Sequence, residues 1–174
     1  LIEDFPCIKR WDIAPELDGA LELGEYLTSK GVLPSIAHTS AVYDDVVKGY
    51  EVGYRHVTHF YNAMSGFHNV REYKQEGTVE SVYLIDGMTV EVIADGIHVP
   101  IPLLKLVYKI KGVEGTALCT DGLSCSAGDE NMYLDPRFII ENGVCKLADR
   151  SALAGSVATM DRLIRTMVNE AGVT

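Results

Sequence analysis

The 174-residue sequence predicts an α/β protein built on a parallel sheet, and three observations carry that prediction. Short apolar runs of strand length alternate with segments whose apolar residues recur every three or four positions. Glycines close the helix-period segments at Gly31, Gly53, Gly112 and Gly172, as helix ends require. The candidate parallel strands finish, one after another, on a polar group: His38, His59, Asp95 with His98 just beyond, and Asp121. Strand–helix alternation means βαβ units, and the absence of a repeating period excludes a solenoid. A doubly wound sheet and a (β/α) barrel both satisfy the pattern to this point.

Taken in order, "KRWDIAPE" supplies the first strand, and Pro15 is placed to start a helix with Glu16 and Asp18 in its first turn. Leu17, Ala20, Leu21, Gly24 and Leu27 form its apolar stripe. "LPSIAHTS" leads into a second helix through Tyr43, Val46, Val47 and Tyr50, with Ser40 as the expected cap. "RHVTHFY" is the third strand, followed by a polar, irregular stretch from Ser65 to Gly77. Two apolar runs, "SVYLID" and "MTVEVIADG", are joined by the turn dipeptide Asp86-Gly87. A third helix uses Leu103, Leu106, Val107 and Ile110, and "TALCTDG" is another strand. "FIIENGVCKLA" reads as a hairpin around Asn142-Gly143, and a last helix runs through Met160, Leu163, Ile164, Met167, Val168 and Ala171.

Composition narrows the function. The chain is 47% hydrophobic, enough to bury a core, and its net charge of −10 argues against nucleic acid or an anionic membrane as partner. Cys7, Cys119, Cys125 and Cys145 show no CxxC pairing, so reduced thiols in a cytoplasmic protein are expected. No segment is apolar for long enough to span a bilayer. The start at "LIEDFPC" without methionine and the stop at "NEAGVT" create the expectation of a piece cut from a longer chain.

Polar residues at the carboxyl ends of successive strands are where a barrel enzyme builds its site. One such histidine would read as a buried histidine with a partner, but four positions in order favour chemistry. Histidines on neighbouring strand ends, ~5 Å apart, can present ring nitrogens to one divalent ion. Zinc, iron, manganese, cobalt and nickel all accept nitrogen and oxygen ligands, so the metal's identity stays open. An aspartate from a later strand can reach the ion or its water, which makes Asp121 a candidate proton carrier.

The segments "IAHTSAVYDD", "HVTHFYNAM", "VIADGIHV", "LCTDG" and "LAGSVATMDR" together resemble the N-acetylglucosamine-6-phosphate deacetylases of the amidohydrolase superfamily. The resemblance runs from "IAPE" at 13–16 to "TMDRLIRTMV". It implies a TIM-type (β/α)8 barrel beside a small β-sandwich, of which residues 1–174 would be a C-terminal portion. About five barrel strands and a β-hairpin insertion would be present; the N-terminal strands and the sandwich would be missing. It further implies metal-dependent hydrolysis of an acetamide on a sugar phosphate, and a homodimer in the complete enzyme.

By motif position, His38 and His59 match the metal-binding histidines and Asp121 the catalytic aspartate. Asn62 and Ala63 match a substrate-contacting pair, His98 and Arg71 the holders of the sugar phosphate. Leu153, Ala154 and Gly155 match a loop closing over the ligand. The family's metal-binding glutamate has no counterpart in the sequence, and "REY" at 71–73 replaces the usual "REP". Asp95 and Asp44 read as structural. Two alternatives stand beside this reading: another amidohydrolase acting on N-acyl sugars or cyclic amides, and a catalytically silent piece. Taken by itself, the 174-residue span is expected to bind metal weakly and to be inactive or nearly so.

Overall fold

A computed structural model describes residues 2–124, 126 and 135–173. The element order is β1 (Arg10–Ile13), α1 (Ala20–Ser29), β2 (Leu33–Ile36), α2 (Tyr43–Glu51) and β3 (His56–Val57). It continues with β4 (His68–Val70), β5 (Tyr73–Gln75), α3 (Thr78–Leu84), β6 (Thr89–Val92), α4 (Ile101–Lys111) and β7 (Thr116–Leu118). It ends with β8 (Phe138–Glu141), β9 (Val144–Leu147) and α5 (Met160–Asn169). Five strands form one sheet in the order β1-β2-β3-β6-β7, with β1–β2, β2–β3 and β3–β6 paired in parallel. This is the expected class: α/β, with five parallel strands and an added hairpin.

Two compact units divide the chain, and the division falls within β6 and β7. The first holds β1 to β3, α1 to α3 and the start of β6. Its helices pack over Ile36, Val57 and Val90, all fully buried, with Leu27, Val46 and Val82 from the helices themselves. Tyr54 is the wedge between α1 and α2: it is fully buried, and its hydroxyl donates to the Ala20 carbonyl at 2.9 Å. Gly24 is required beside it, because a Cβ there would lie 2.5 Å from the Tyr54 ring. The second unit holds the end of β6, α4, the end of β7, β8, β9 and α5, with Leu104, Val107, Cys145 and Leu163 buried. No helix among the described residues is long and apolar enough to cross a membrane.

Several elements depart from the sequence reading. Helix α1 begins at Ala20, after Gly19 in a left-handed conformation (φ 80°), and not at Pro15. The reason is Glu16, whose carboxylate receives the Thr39 hydroxyl and the Ser40 amide and is held outside the helix. Ser40 does not cap α2, because the helix starts at Tyr43 with Val42 at its N-cap position, and the Asp45 carboxylate accepts the Val42 amide at 3.2 Å. "SVYLID" lies largely in α3, opened by Glu80 accepting the Gly77 amide at 2.9 Å, with Val79 and Val82 turned inward. A short apolar run fits a buried helix turn as well as a strand, and spacing alone does not separate them. Residues 65–77 are not irregular throughout, since β4 and β5 pair as an antiparallel hairpin. The apolar stripe of α4 is rotated from the expected one: Leu104 and Val107 are buried, Leu106 and Ile110 exposed. The Asn142-Gly143 hairpin forms as expected, with φ of 57° and 70° at its turn.

Candidate functional site: two converging histidines and an aspartate loop

In the first unit, the parallel register sets Ser35 beside His56 and Ile36 beside Val57. His38 and His59 therefore each stand two residues past a paired position. Both take a left-handed backbone, φ 46° and 30°, which tips the chain off the sheet and turns the rings towards each other. The two Nε2 atoms are 3.1 Å apart, with ring planes nearly perpendicular.

His59 is buried, and its Nδ1 lies 3.1 Å from the Asn62 carbonyl. A carbonyl can only accept, so Nδ1 carries the proton and the Nε2 lone pair faces His38. This is how metal-ligating histidines are held, with the far nitrogen fixed by a carbonyl. Two nitrogens on one tetrahedral ion at ordinary bond length would be ~3.3 Å apart. The pair thus fits a divalent ion as two of its ligands, while no cluster of three His, Cys, Asp or Glu suited to a metal occurs among the described residues.

The loop after His59 is braced internally. The Asn62 side-chain amide donates to the His59 and Phe60 carbonyls at 3.2 and 3.4 Å. Ala63 is exposed with φ 49°, and its carbonyl accepts the Thr39 amide at 3.0 Å, tying this loop to the one that carries His38. Arg71 lies elsewhere in the unit, exposed at the tip of the β4–β5 turn with φ 56°. No hydrogen bond among the described residues joins it to the histidine loops.

A polar network also links β1, β3 and β6 in this unit. Glu91 of β6 accepts from Thr58 and from Arg10 (2.9 Å), with His56 Nε2 at 3.5 Å and His56 Nδ1 against the Thr89 hydroxyl at 2.8 Å. Burial pushes the Glu91 carboxyl up, but the His56, Thr58 and Arg10 hydrogen bonds and the Arg10 charge outweigh it, bringing it down to about 2.

In the second unit, Asp121 lies three residues past β7, exposed and left-handed at φ 45°. Its carbonyl accepts the Ser156 amide at 2.8 Å, and the Ser156 carbonyl accepts the Leu123 amide at 3.1 Å. The expected ligand-closing loop, Leu153–Gly155, is thereby strapped to the catalytic candidate, with the Ala154 amide on the Cys145 carbonyl at 3.1 Å. Gly155 has φ 52°, and a Cβ on it would meet Leu123 at 2.9 Å and the Asp121 carbonyl oxygen at 3.1 Å. His98 Nδ1 lies 2.8 Å from Asp95 Oδ2, with both side chains nearly inaccessible.

Backbone conformation marks the same positions independently. Among the described residues, eight non-glycine residues have positive φ, and His38, His59, Ala63, Arg71 and Asp121 are five of them. Such conformations persist where the surroundings enforce them, and functional sites are where they gather.

No protein-family model matches the chain. It is 30% identical over 163 residues to the N-acetylglucosamine-6-phosphate deacetylase of Lysinibacillus sphaericus, covering 92% of this chain and 41% of that protein. With the deacetylase of the same name from Bacillus subtilis, identity is 33% over 164 residues, or 92% of this chain and 40% of the relative. The fold matches the Mycobacterium smegmatis N-acetyl-D-glucosamine-6-phosphate deacetylase, solved in complex with N-acetyl-D-glucosamine-6-phosphate, at a TM-score of 0.84 and 28% identity. That match covers 95% of this chain and 43% of the other. The relatives of this chain include N-acetylglucosamine-6-phosphate deacetylases and an N-acetylgalactosamine-6-phosphate deacetylase of Escherichia coli. The chain spans about two fifths of the length of the curated deacetylases it matches.

Within this segment the sequence reading missed three groups. Asp95, read as structural, bonds directly to a candidate substrate residue, and its i, i+3 spacing to His98 was the available signal. Glu16 braces the loop carrying His38. Glu91 joins β1, β3 and β6 from a position that resembles an ordinary polar strand residue.

Proposed function

We propose that this chain carries the two metal-binding histidines and the proton-transferring carboxylate of an N-acetylglucosamine-6-phosphate deacetylase. The reaction is hydrolysis of the acetamide of N-acetylglucosamine 6-phosphate to glucosamine 6-phosphate and acetate, in amino sugar catabolism. The observation that carries this reading is the Nε2 pair of His38 and His59, 3.1 Å apart, with the His59 tautomer set by the Asn62 carbonyl. Residues 1–174 would form one part of a TIM-type barrel. A cytoplasmic setting and a homodimer rest on the family resemblance.

His38 and His59 would hold the divalent ion, which when bound acidifies water and polarises a carbonyl. Asp121 takes the proton from the attacking water and returns it to the departing amine nitrogen, since an amine leaves only once protonated. Asn62 and the Ala63 backbone orient the substrate, while Arg71 and His98 hold its phosphate through charge-assisted hydrogen bonds. Leu153, Ala154 and Gly155 close over the sugar.

The test is acetate release from N-acetylglucosamine 6-phosphate alongside metal analysis, both on the purified complete enzyme that contains this span. His38→Ala and His59→Ala are expected to lose bound metal. Asp121→Asn is expected to keep the metal and lose about a hundredfold or more in turnover. Turnover of Asp121→Asn within about tenfold of the parent would refute the assigned proton transfer.

A further inference from the structure

Asp95 is held more elaborately than a structural turn residue needs. One carboxylate oxygen, Oδ1, accepts the amides of Ile97 (2.9 Å) and His98 (2.8 Å), and the other, Oδ2, receives His98 Nδ1 at 2.8 Å. The side chains of Asp95 and His98 are only 5% and 4% exposed, so the arrangement is shielded from water. The loop packs close to its neighbours at Gly96, where a Cβ would meet Ile101 of α4 at 3.2 Å and Thr166 of α5 at 3.7 Å. One atom is left over. His98 Nε2 is buried and has no hydrogen-bond partner among the described residues. A buried ring nitrogen without a partner is unfavourable and calls for an explanation.

We propose that Asp95 is a positioning residue that fixes the His98 ring, with its proton on Nδ1, so that Nε2 alone meets the ligand. The chemistry at Nε2 follows. A carboxylate can only accept, so the Nδ1 proton belongs to the Asp95 bond whether the ring is neutral or charged. A phosphate oxygen is met by the charged ring donating from Nε2, with the Asp95 carboxylate balancing the new charge. The assignment of a phosphate oxygen as the ligand rests on the deacetylase reading; the assignment of the tautomer does not.

Two measurements test this. The first is the nitrogen-15 spectrum of the His98 ring in the purified protein. The neutral ring is expected to be protonated at Nδ1, and Asp95→Asn is expected to move the proton to Nε2, because the Asn amide donates where the carboxylate accepted. Asn keeps an oxygen for the two backbone amides, so the loop is retained; if Asp95→Asn does not fold, the wild-type tautomer decides. The second is a double-mutant cycle in the complete enzyme, read as KM and kcat for N-acetylglucosamine 6-phosphate. Asp95→Asn should raise KM about tenfold in the wild-type background and change it little on a His98→Gln background. A neutral wild-type ring protonated at Nε2, or an equal KM effect in both backgrounds, would overturn the proposal. A complete wild-type enzyme with the expected tautomer but no turnover would instead remove the deacetylase reading and leave the positioning role of Asp95 standing.

Discussion

Replacing Glu91 by Gln isolates the charge in the network that joins β1, β3 and β6. The side chains of Glu91 and His56 are 13% and 10% exposed, so solvent screens their interaction little. The Glu91 carboxyl is displaced from its ordinary 4.5 to about 2, and at about 1.4 kcal/mol per pKa unit this corresponds to ~3 kcal/mol of folding free energy near neutral pH. Because the native value is the lower one, the contribution is complete above the unfolded value and disappears as pH falls from 4.5 through 2. At pH 3 about half of it remains. The assay is urea unfolding of parent and Glu91→Gln at pH 7, 4.5 and 3, with the stability difference taken at each. The difference is expected to be ~3 kcal/mol at pH 7 and to shrink to ~1.5 kcal/mol at pH 3. A difference of the same size at all three pH values would show that Glu91 acts through packing, and the electrostatic account of this network would be wrong.

Three further outcomes are expected. Gly155→Ala forces a Cβ against Leu123 and the Asp121 carbonyl at a left-handed position, so it should lower stability by ~1–2 kcal/mol and reduce kcat, measured by denaturant midpoint and acetate release. Tyr54→Phe removes the buried hydroxyl bond to Ala20 and should lower stability by ~1 kcal/mol with KM unchanged; a shift in KM would mean that the α1–α2 wedge reaches the site. Arg71→Ala should lower kcat/KM for the 6-phosphorylated sugar by about tenfold or more while leaving the unphosphorylated sugar nearly unaffected. Equal losses on both sugars would count against a phosphate role.

What the sequence revealed was whatever depends on local periodicity and on position along a strand. Five parallel strands, the Asn142-Gly143 hairpin and the placing of His38, His59 and Asp121 after strand ends all follow from such local rules. What it concealed depends on partners distant in the chain. Glu16 lies 23 residues before Thr39, and nothing near it announces that its carboxylate will leave the helix to brace another loop. The 7-residue α3 is too short for its period to be distinguished from a strand, and Glu80 as its cap becomes meaningful only once the helix is drawn. Asp95 was visible as a residue but not as a partner, since which nitrogen of His98 it engages is a matter of three-dimensional orientation.

The left-handed backbones at His38, His59 and Asp121 bear on how these positions respond to replacement. A residue with a Cβ is disfavoured in that conformation by ~1–2 kcal/mol, whereas glycine adopts it freely. Glycine at any of the three would abolish the functional group and relax the chain in the same step. Valine or isoleucine would forfeit both the chemistry and the fold's comfort. Under the proposed assignment, variants inactive at these positions can therefore be sturdier than the parent, and a screen that rewards only thermal endurance would lose the three side chains first.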